Sequence, residues 1–290
     1  MSSSQASPAS SLPPLSEIKT ASVNTAPALQ ANTFGTTERP DSWWVEPLLS
    51  VIALLGFSVY VAWAIGQNAN YHIGPFLSPL YSPNLQEFFP QLFQQFPWLS
   101  PAYLVLWIPI AFRGTCYYAR RVAYRSFFAT PSGCAVGPSQ TASALYEGET
   151  QFPFALMNLH RYAFFFALIL VFFHWKHLVD AFFYPQGVGI GLGTLVVGLD
   201  TILLTLYVFS CHSWRHLLAG KLNCFTCSAV DKMRHGAYKR QSKLNESHGH
   251  YFWYSLAAVW FADVFIRNVA SGNWHDTVYL FGQGLTTNPF

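Results

Sequence analysis

The strongest constraint on this chain is a succession of apolar stretches, each long enough to cross a bilayer. A helix needs about 20 mostly apolar residues to do so. Five stretches qualify: 43–66 ("WWVEPLLSVIALLGFSVYVAWAIG"), 98–128, 152–183, 189–220, and Leu244 to about Ala270. The expected fold class is all-α integral membrane, a bundle of five transmembrane helices. Stretches two to five exceed the hydrocarbon and should tilt or project beyond it. Composition agrees, with 52% hydrophobic, 18% aromatic and only 10% charged residues, where a soluble domain carries about a quarter charged. A net charge of +3 is too small and too dispersed to suggest nucleic acid.

Residues 1–42 are rich in Ser, Ala, Pro and Thr without apolar periodicity. They lack the basic start and apolar core of a signal peptide, so a disordered or loosely draped tail is expected. Residues 43–270 form the membrane domain, and 271–290 a C-terminal tail.

Charge orients the helices. Arg113, Arg120, Arg121 and Arg125 follow the second stretch; Arg215, Lys221, Lys232, Arg234, Lys239, Arg240 and Lys243 follow the fourth. Segments 67–98 and 184–189 contain no Lys or Arg. The positive-inside rule puts both basic connections inside, hence the N terminus inside and the C terminus outside.

In that orientation Cys116, His160, Cys211, His212, His216 and His248 fall at one depth near the inner surface. Cys134 of "TPSGCAVGP" lies in the loop on the same side. Any one of these would ordinarily be an interfacial or core residue; the shared depth makes them metal candidates. His212 and His216 are one helical turn apart, so both imidazoles can reach one ion, whereas two separate haems would be too close. A single haem b using His160 with either of them, or using His248, stays open. So does a Rieske-type [2Fe–2S] cluster, which takes two Cys and two His.

Five motifs, "FRGTCYYARRVAYRSFFATPSGCAV", "NLHRY", "GVGIGLGTL", "SCHSWRH" and "LNESHGHYFWYSL", occur in an order that resembles the single-chain, five-helix membrane anchors of actinobacterial-type succinate dehydrogenases. The resemblance spans roughly 43–272. It implies a multi-pass subunit of the cell membrane that holds a flavoprotein and an iron–sulfur subunit on the cytoplasmic side. It further implies electron transfer from succinate oxidation to membrane quinone, menaquinone by preference, through an embedded Rieske-type cluster rather than haem b. Carried over by motif, the ligands are Cys116, Cys134, His212 and His216, with Cys211, His160 and His248 as alternates. Arg113, Tyr117, His160 and His248 are the quinone-binding candidates. A higher oligomer is left open. The competing readings are a b-haem anchor and a non-redox scaffold or transporter.

Three further features complete the picture. Cys224 and Cys227 of "LNCFTC" are expected to be two reduced thiols, a zinc site or redox pair being the sharper alternative. His174, His177 and Asp180 near the outer end of the third stretch are expected as interfacial residues, against a second quinone or proton site. Asp200 is the clearest midplane carboxylate. The chain has no dinucleotide fingerprint, P-loop or nucleophile elbow, so it should not oxidise succinate alone.

Overall fold

The apolar stretches do form helices, but three of them break. The computed structural model describes residues 42, 44–127, 150, 152, 154–220 and 222–290; Cys134 and most of its loop lie outside these. In chain order the elements are α1 (Val45–Gln67), β1 (His72–Ile73), β2 (Phe76–Leu77), α2 (Leu85–Phe88), α3 (Pro90–Gln95), α4 (Pro101–Gly114) and α5 (Tyr117–Phe127). After them come α6 (His160–Asp180), β3 (Phe183–Tyr184), β4 (Gly187–Gly191), α7 (Leu192–Phe209), α8 (His212–Ala219), α9 (Ala229–Glu246), α10 (His248–Ala270), β5 (Thr277–Leu280) and β6 (Gly284–Thr287). The described chain is mostly helical. Three of its helical segments, Val45–Gln67, Ala155–Asp180 and Leu192–Phe209, are long and apolar enough to cross a membrane. Helix α4 is apolar but shorter, at 14 residues. Helix α10 has the length, at 23 residues, but buries Asp263 and Arg267 near its end.

These helices turn apolar faces outward. Leu48, Leu49, Ile52, Leu55, Val59 and Trp63 of α1 are each at least 46% exposed. Tyr162, Phe165, Ile169, Phe172 and Val179 do the same on α6. A continuous stripe of this kind is unfavourable in water and favourable against lipid.

Three expected continuous helices are interrupted. Residues 98–128 divide at Thr115–Cys116, 189–220 at Ser210–Cys211, and the segment entering α10 at Ser247. The first three residues of the fourth stretch, 189–191, are also strand rather than helix, as the end of β4. At the second break Cys211 is extended (φ −63°, ψ 144°), and its thiol accepts the Ser213 N–H as the N-cap of α8. The carbonyls freed there find side-chain donors from α9. Asn245 Nδ2 donates to Ser210 O at 2.7 Å, and Gln241 Nε2 to Cys211 O at 3.1 Å. Such pairing is what makes a helix end tolerable where water is scarce.

The opposite end carries a small antiparallel sheet in the order β3-β4-β5-β6. It is an addition to the expected all-helical bundle, and residues 271–290, expected as a tail, supply two of its strands. Glycine is required where β4 meets β5: a Cβ on Gly189 would lie 2.7 Å from Tyr279 O, and one on Gly191 2.6 Å from the Tyr184 hydroxyl. Asp276 Oδ1 accepts the Gly193 N–H at 3.0 Å, joining the sheet to the start of α7 and favouring its dipole.

Beside it, Asp263 and Arg267 form a buried ion pair with Nε–Oδ2 at 2.8 Å. Tyr60 donates its hydroxyl to Asp263 at 2.5 Å, Ser78 donates to the other carboxylate oxygen, and Arg267 Nη1 donates to Ala69 O at 2.6 Å. The network ties α1 and the 68–82 connection to α10. Arg267→Leu should therefore strand a buried carboxylate and cost about 3–5 kcal/mol, seen as a lower unfolding temperature of the assembled protein. Asp263→Asn in the same chain should recover part of that loss. Full stability of Arg267→Leu alone would show that the pair is not what holds this end.

Candidate functional site

The two upper breaks in the helices bring thiols against imidazoles. His160 Nε2 lies 3.1 Å from Cys211 Sγ, and His248 Nε2 lies 3.6 Å from Cys116 Sγ. Cys116 and Cys211 are 3% and 1% exposed. Each cysteine sits at a helix break and each histidine opens a helix, so the four side chains come from four separate turns of backbone.

The hydrogen bonds around each ring fix its tautomer. Thr115 Oγ1 donates to Ala111 O at 2.6 Å, which uses its only proton. It can then only accept from His160 Nδ1, 3.2 Å away. Ser210 repeats the arrangement: its Oγ donates to Tyr207 O at 3.0 Å and accepts from His248 Nδ1 at 2.6 Å. Both neutral imidazoles thus carry their proton on Nδ1 and present a bare Nε2 lone pair to a cysteine. A metal-ligating histidine is normally held this way, with its outer N–H engaged and its inner nitrogen free. Aromatic rings hold the planes: Phe112 stacks on His160 at 4.9 Å and Tyr207 on His248 at 5.0 Å.

Arg113 adds a cation. Its Nη1 donates to Phe252 O at 3.0 Å and its Nη2 to Ser255 Oγ at 2.9 Å, while the guanidinium lies 4.4 Å from the Tyr207 ring centre. Arg113 also borders a cavity of about 1120 Å³ between α1, α4, α6, α7 and α10. The cavity is lined almost wholly by apolar side chains; Tyr207 and His174 are among its few polar ones.

The remaining sequence candidates fall elsewhere. His212 and His216 contact each other on α8 with Nε2 atoms 2.9 Å apart and are exposed. Tyr117 is 69% exposed, lies outside the cavity lining and faces the Arg120 guanidinium. Cys134 lies outside the described residues. Cys224 and Cys227, expected as reduced thiols, are joined in a disulfide with Cα atoms 5.8 Å apart, a separation the C-x-x-C turn brings within bridging range. Among the described residues no three His, Cys, Asp or Glu side chains converge on a point that could hold one metal ion. Sequence reasoning missed Thr115, Ser210 and Tyr207, whose only signal was adjacency to the candidate residues.

A sequence profile described as actinobacterial succinate dehydrogenase subunit SdhC matches residues 45–272. The chain belongs to that family. Among solved structures, a chain of the Mycobacterium smegmatis Sdh1 complex in the apo form matches with a TM-score of 0.71 and 34% identity, over 84% of this chain and 94% of that one. No curated protein matches. The chain is thus a succinate dehydrogenase membrane subunit of the SdhC family, and Cys116, Cys211, His248 and the half-buried His160 all lie within the matched region.

Reactivity should follow burial. Because the thiolate is the reactive form and needs access, native protein treated with a maleimide should leave Cys116 and Cys211 unmodified until it is unfolded. Cys224 and Cys227 should label only after reduction. Mass spectrometry of the peptides reads both, and rapid native labelling of Cys211 would contradict its placement.

Proposed function

We propose that this subunit anchors succinate:quinone oxidoreductase in the cell membrane and carries electrons from the iron–sulfur subunit to membrane quinone. The observation that carries the reading is the buried donor set of two thiols and two imidazoles with both Nε2 lone pairs turned inward. In kind and number it fits a Rieske-type [2Fe–2S] cluster, which asks for only two protein donors per iron. Cys116, Cys211, His160 and His248 would hold it. These include three residues that the motif carry-over ranked second, and they take the place of Cys134, His212 and His216. Side-chain torsions would sort the thiol–imidazole pairs into thiolate and imidazole pairs. When bound, such a cluster supplies a one-electron carrier of raised potential.

The chain's own residues do the rest. Thr115 and Ser210 hold the imidazole planes, and Phe112, Tyr207 and Phe252 exclude water. Arg113 offsets negative charge, and its remaining N–H groups can donate to a quinone carbonyl at the cavity wall. The cavity is long and apolar enough for an isoprenoid quinone, menaquinone being the preferred one. The cluster reading is preferred over haem b because each imidazole Nε2 faces a thiol, a mixed donor set that a haem does not use.

Five crossings follow from α1, α4, α6, α7 and α10, with α5, α8 and α9 lying along the inner surface. Their Arg120, Arg121, Lys232, Arg234, Lys239, Arg240 and Lys243 supply the positive-inside signal and a platform for the flavoprotein and iron–sulfur subunits.

Two experiments test this. In sealed cells an impermeant thiol reagent should label a cysteine at the exposed Gln95 and spare one at the exposed Lys239. Labelling of Lys239→Cys alone would invert the topology. Separately, His160→Leu or His248→Leu should abolish the Rieske electron-paramagnetic signal and quinone reduction, while succinate oxidation with a soluble dye persists. Thr115→Ala and Ser210→Ala should weaken cluster retention by about 10–100-fold. Loss of the signal in His212→Leu and His216→Leu, with both deeper variants intact, would overturn this ligand set and leave the anchor role standing.

A further inference from the structure

The bundle holds two buried aspartates in opposite situations. Asp263 is fully engaged by Arg267, Tyr60 and Ser78 and has a structural task. Asp200 of α7 is 1% exposed, takes part in no ion pair among the described residues, and its Oδ1 has no hydrogen-bond partner. A carboxyl left this way in a membrane interior is costly and marks a functional position.

Its neighbours extend the pattern. Thr201, the next residue, bonds its hydroxyl to His174 O at 3.4 Å, which sets Asp200 at the level of His174 on α6. His174 borders the cavity. Its Nδ1 donates to Leu170 O at 2.8 Å, so its Nε2 is a bare acceptor. One turn on, the Nε2 of His177 is buried without a partner, and its Nδ1 lies 3.7 Å from Asp180 Oδ2. The Asp180 side chain is 42% exposed and is held by Lys176 at 2.6 Å. From the α6–β3 end inward, Asp180, His177 and His174 therefore stand at successive turns of one helix, about 5–6 Å apart at Cβ. Asp200 stands at the same level on the neighbouring helix α7. The turn-to-turn spacing along α6 is of a size that bridging water closes. Among the described residues no hydrogen bond joins the side chains of Asp180, His177, His174 or Asp200 to another helix.

We propose that Asp180, His177, His174 and Asp200 form a proton path from the membrane face opposite the soluble subunits to the quinone cavity. The proposal rests on the quinone-reducing function and the orientation proposed above. Reduction of a quinone to a quinol takes two electrons and two protons. The electrons come from succinate on the inner side, where its oxidation to fumarate also releases two protons. The path delivers the quinol's protons from the outer side: Asp180 passes a proton to His177, His177 to His174, and His174 to the reduced quinone oxygen, with Asp200 as the buried reservoir. Turnover then moves positive charge inward, and an inside-negative potential drives it.

The test uses the whole complex in liposomes with a trapped pH dye, valinomycin and potassium. Added succinate reaches only molecules whose soluble subunits face the bulk, so their outer face is luminal. With a short-chain quinone as acceptor, the wild-type complex should alkalinise the lumen by about two protons per quinol, the stoichiometry of the path. His177→Leu and the near-isosteric Asp200→Asn should lose the luminal signal while keeping assembly and succinate oxidation with a soluble dye. Quinone reduction by the wild type without luminal alkalinisation, or alkalinisation unchanged in both variants, would overturn the path alone. Absence of quinone reduction in the wild type would overturn the function beneath it as well.

Discussion

The hydroxyls of Thr115 and Ser210 do two things at once, and the half of the molecule around them depends on both. Each donates to a carbonyl one turn back, Ala111 O and Tyr207 O, which settles a helix end at a depth where an unpaired carbonyl would be costly. Having spent that proton, each can only accept from an imidazole. The helix break and the histidine tautomer are therefore one interaction, not two. The cysteine that follows each hydroxyl leaves the helical path and meets the other histidine pair: Cys116 meets His248, and Cys211 meets His160.

The opposite half, around the sheet, is held differently. There the polar groups are charged and mutually satisfied, as in Asp263 with Arg267, or cap a helix, as Asp276 does for Gly193. Glycines at 189 and 191 let β4 and β5 approach until side chains would collide. That end gives a rigid frame against which α6 and α7 pack. Asp200 and His177 differ from these polar groups in that Asp200 Oδ1 and His177 Nε2 are buried without a partner and, among the described residues, neither ties two helices together.

Sequence disclosed the helices, which follow from local composition, and it grouped Cys116, Cys211, His160 and His248, which the structure brings into thiol–imidazole contacts. It did not disclose which cysteine and histidine meet. His212 and His216 have ideal spacing on one helix, yet that helix is a separate surface element, since the chain turns at Cys211. The i, i+4 argument presumed a helix running on through "SCHSW", and no propensity in that stretch announces the break. The C-terminal strands were hidden for a similar reason: "TVYL" and "GLTT" are too short to declare a strand until β4 offers an edge. Cys116 was legible because it ends an apolar run. Thr115 was not, since its role exists only once His160 arrives from another helix.

The breaks also explain why the donors are cysteine and histidine from different helices rather than a compact sequence motif. An unbroken helix presents side chains sideways, toward a neighbour or toward lipid, and its own backbone is closed to ligands. Ending α4 and α7 at this depth lets Cys116 and Cys211 project along the bundle, toward the starts of α6 and α10 where His160 and His248 stand. Four helix ends then face one another across an apolar interior with Arg113 as the nearby cation. In that setting a thiolate and an imidazole lone pair have few competitors for a positive centre, because the backbone acceptors are already taken by Thr115, Ser210, Gln241 and Asn245. On the proposed reading, a metal group at this position would meet few competing backbone acceptors.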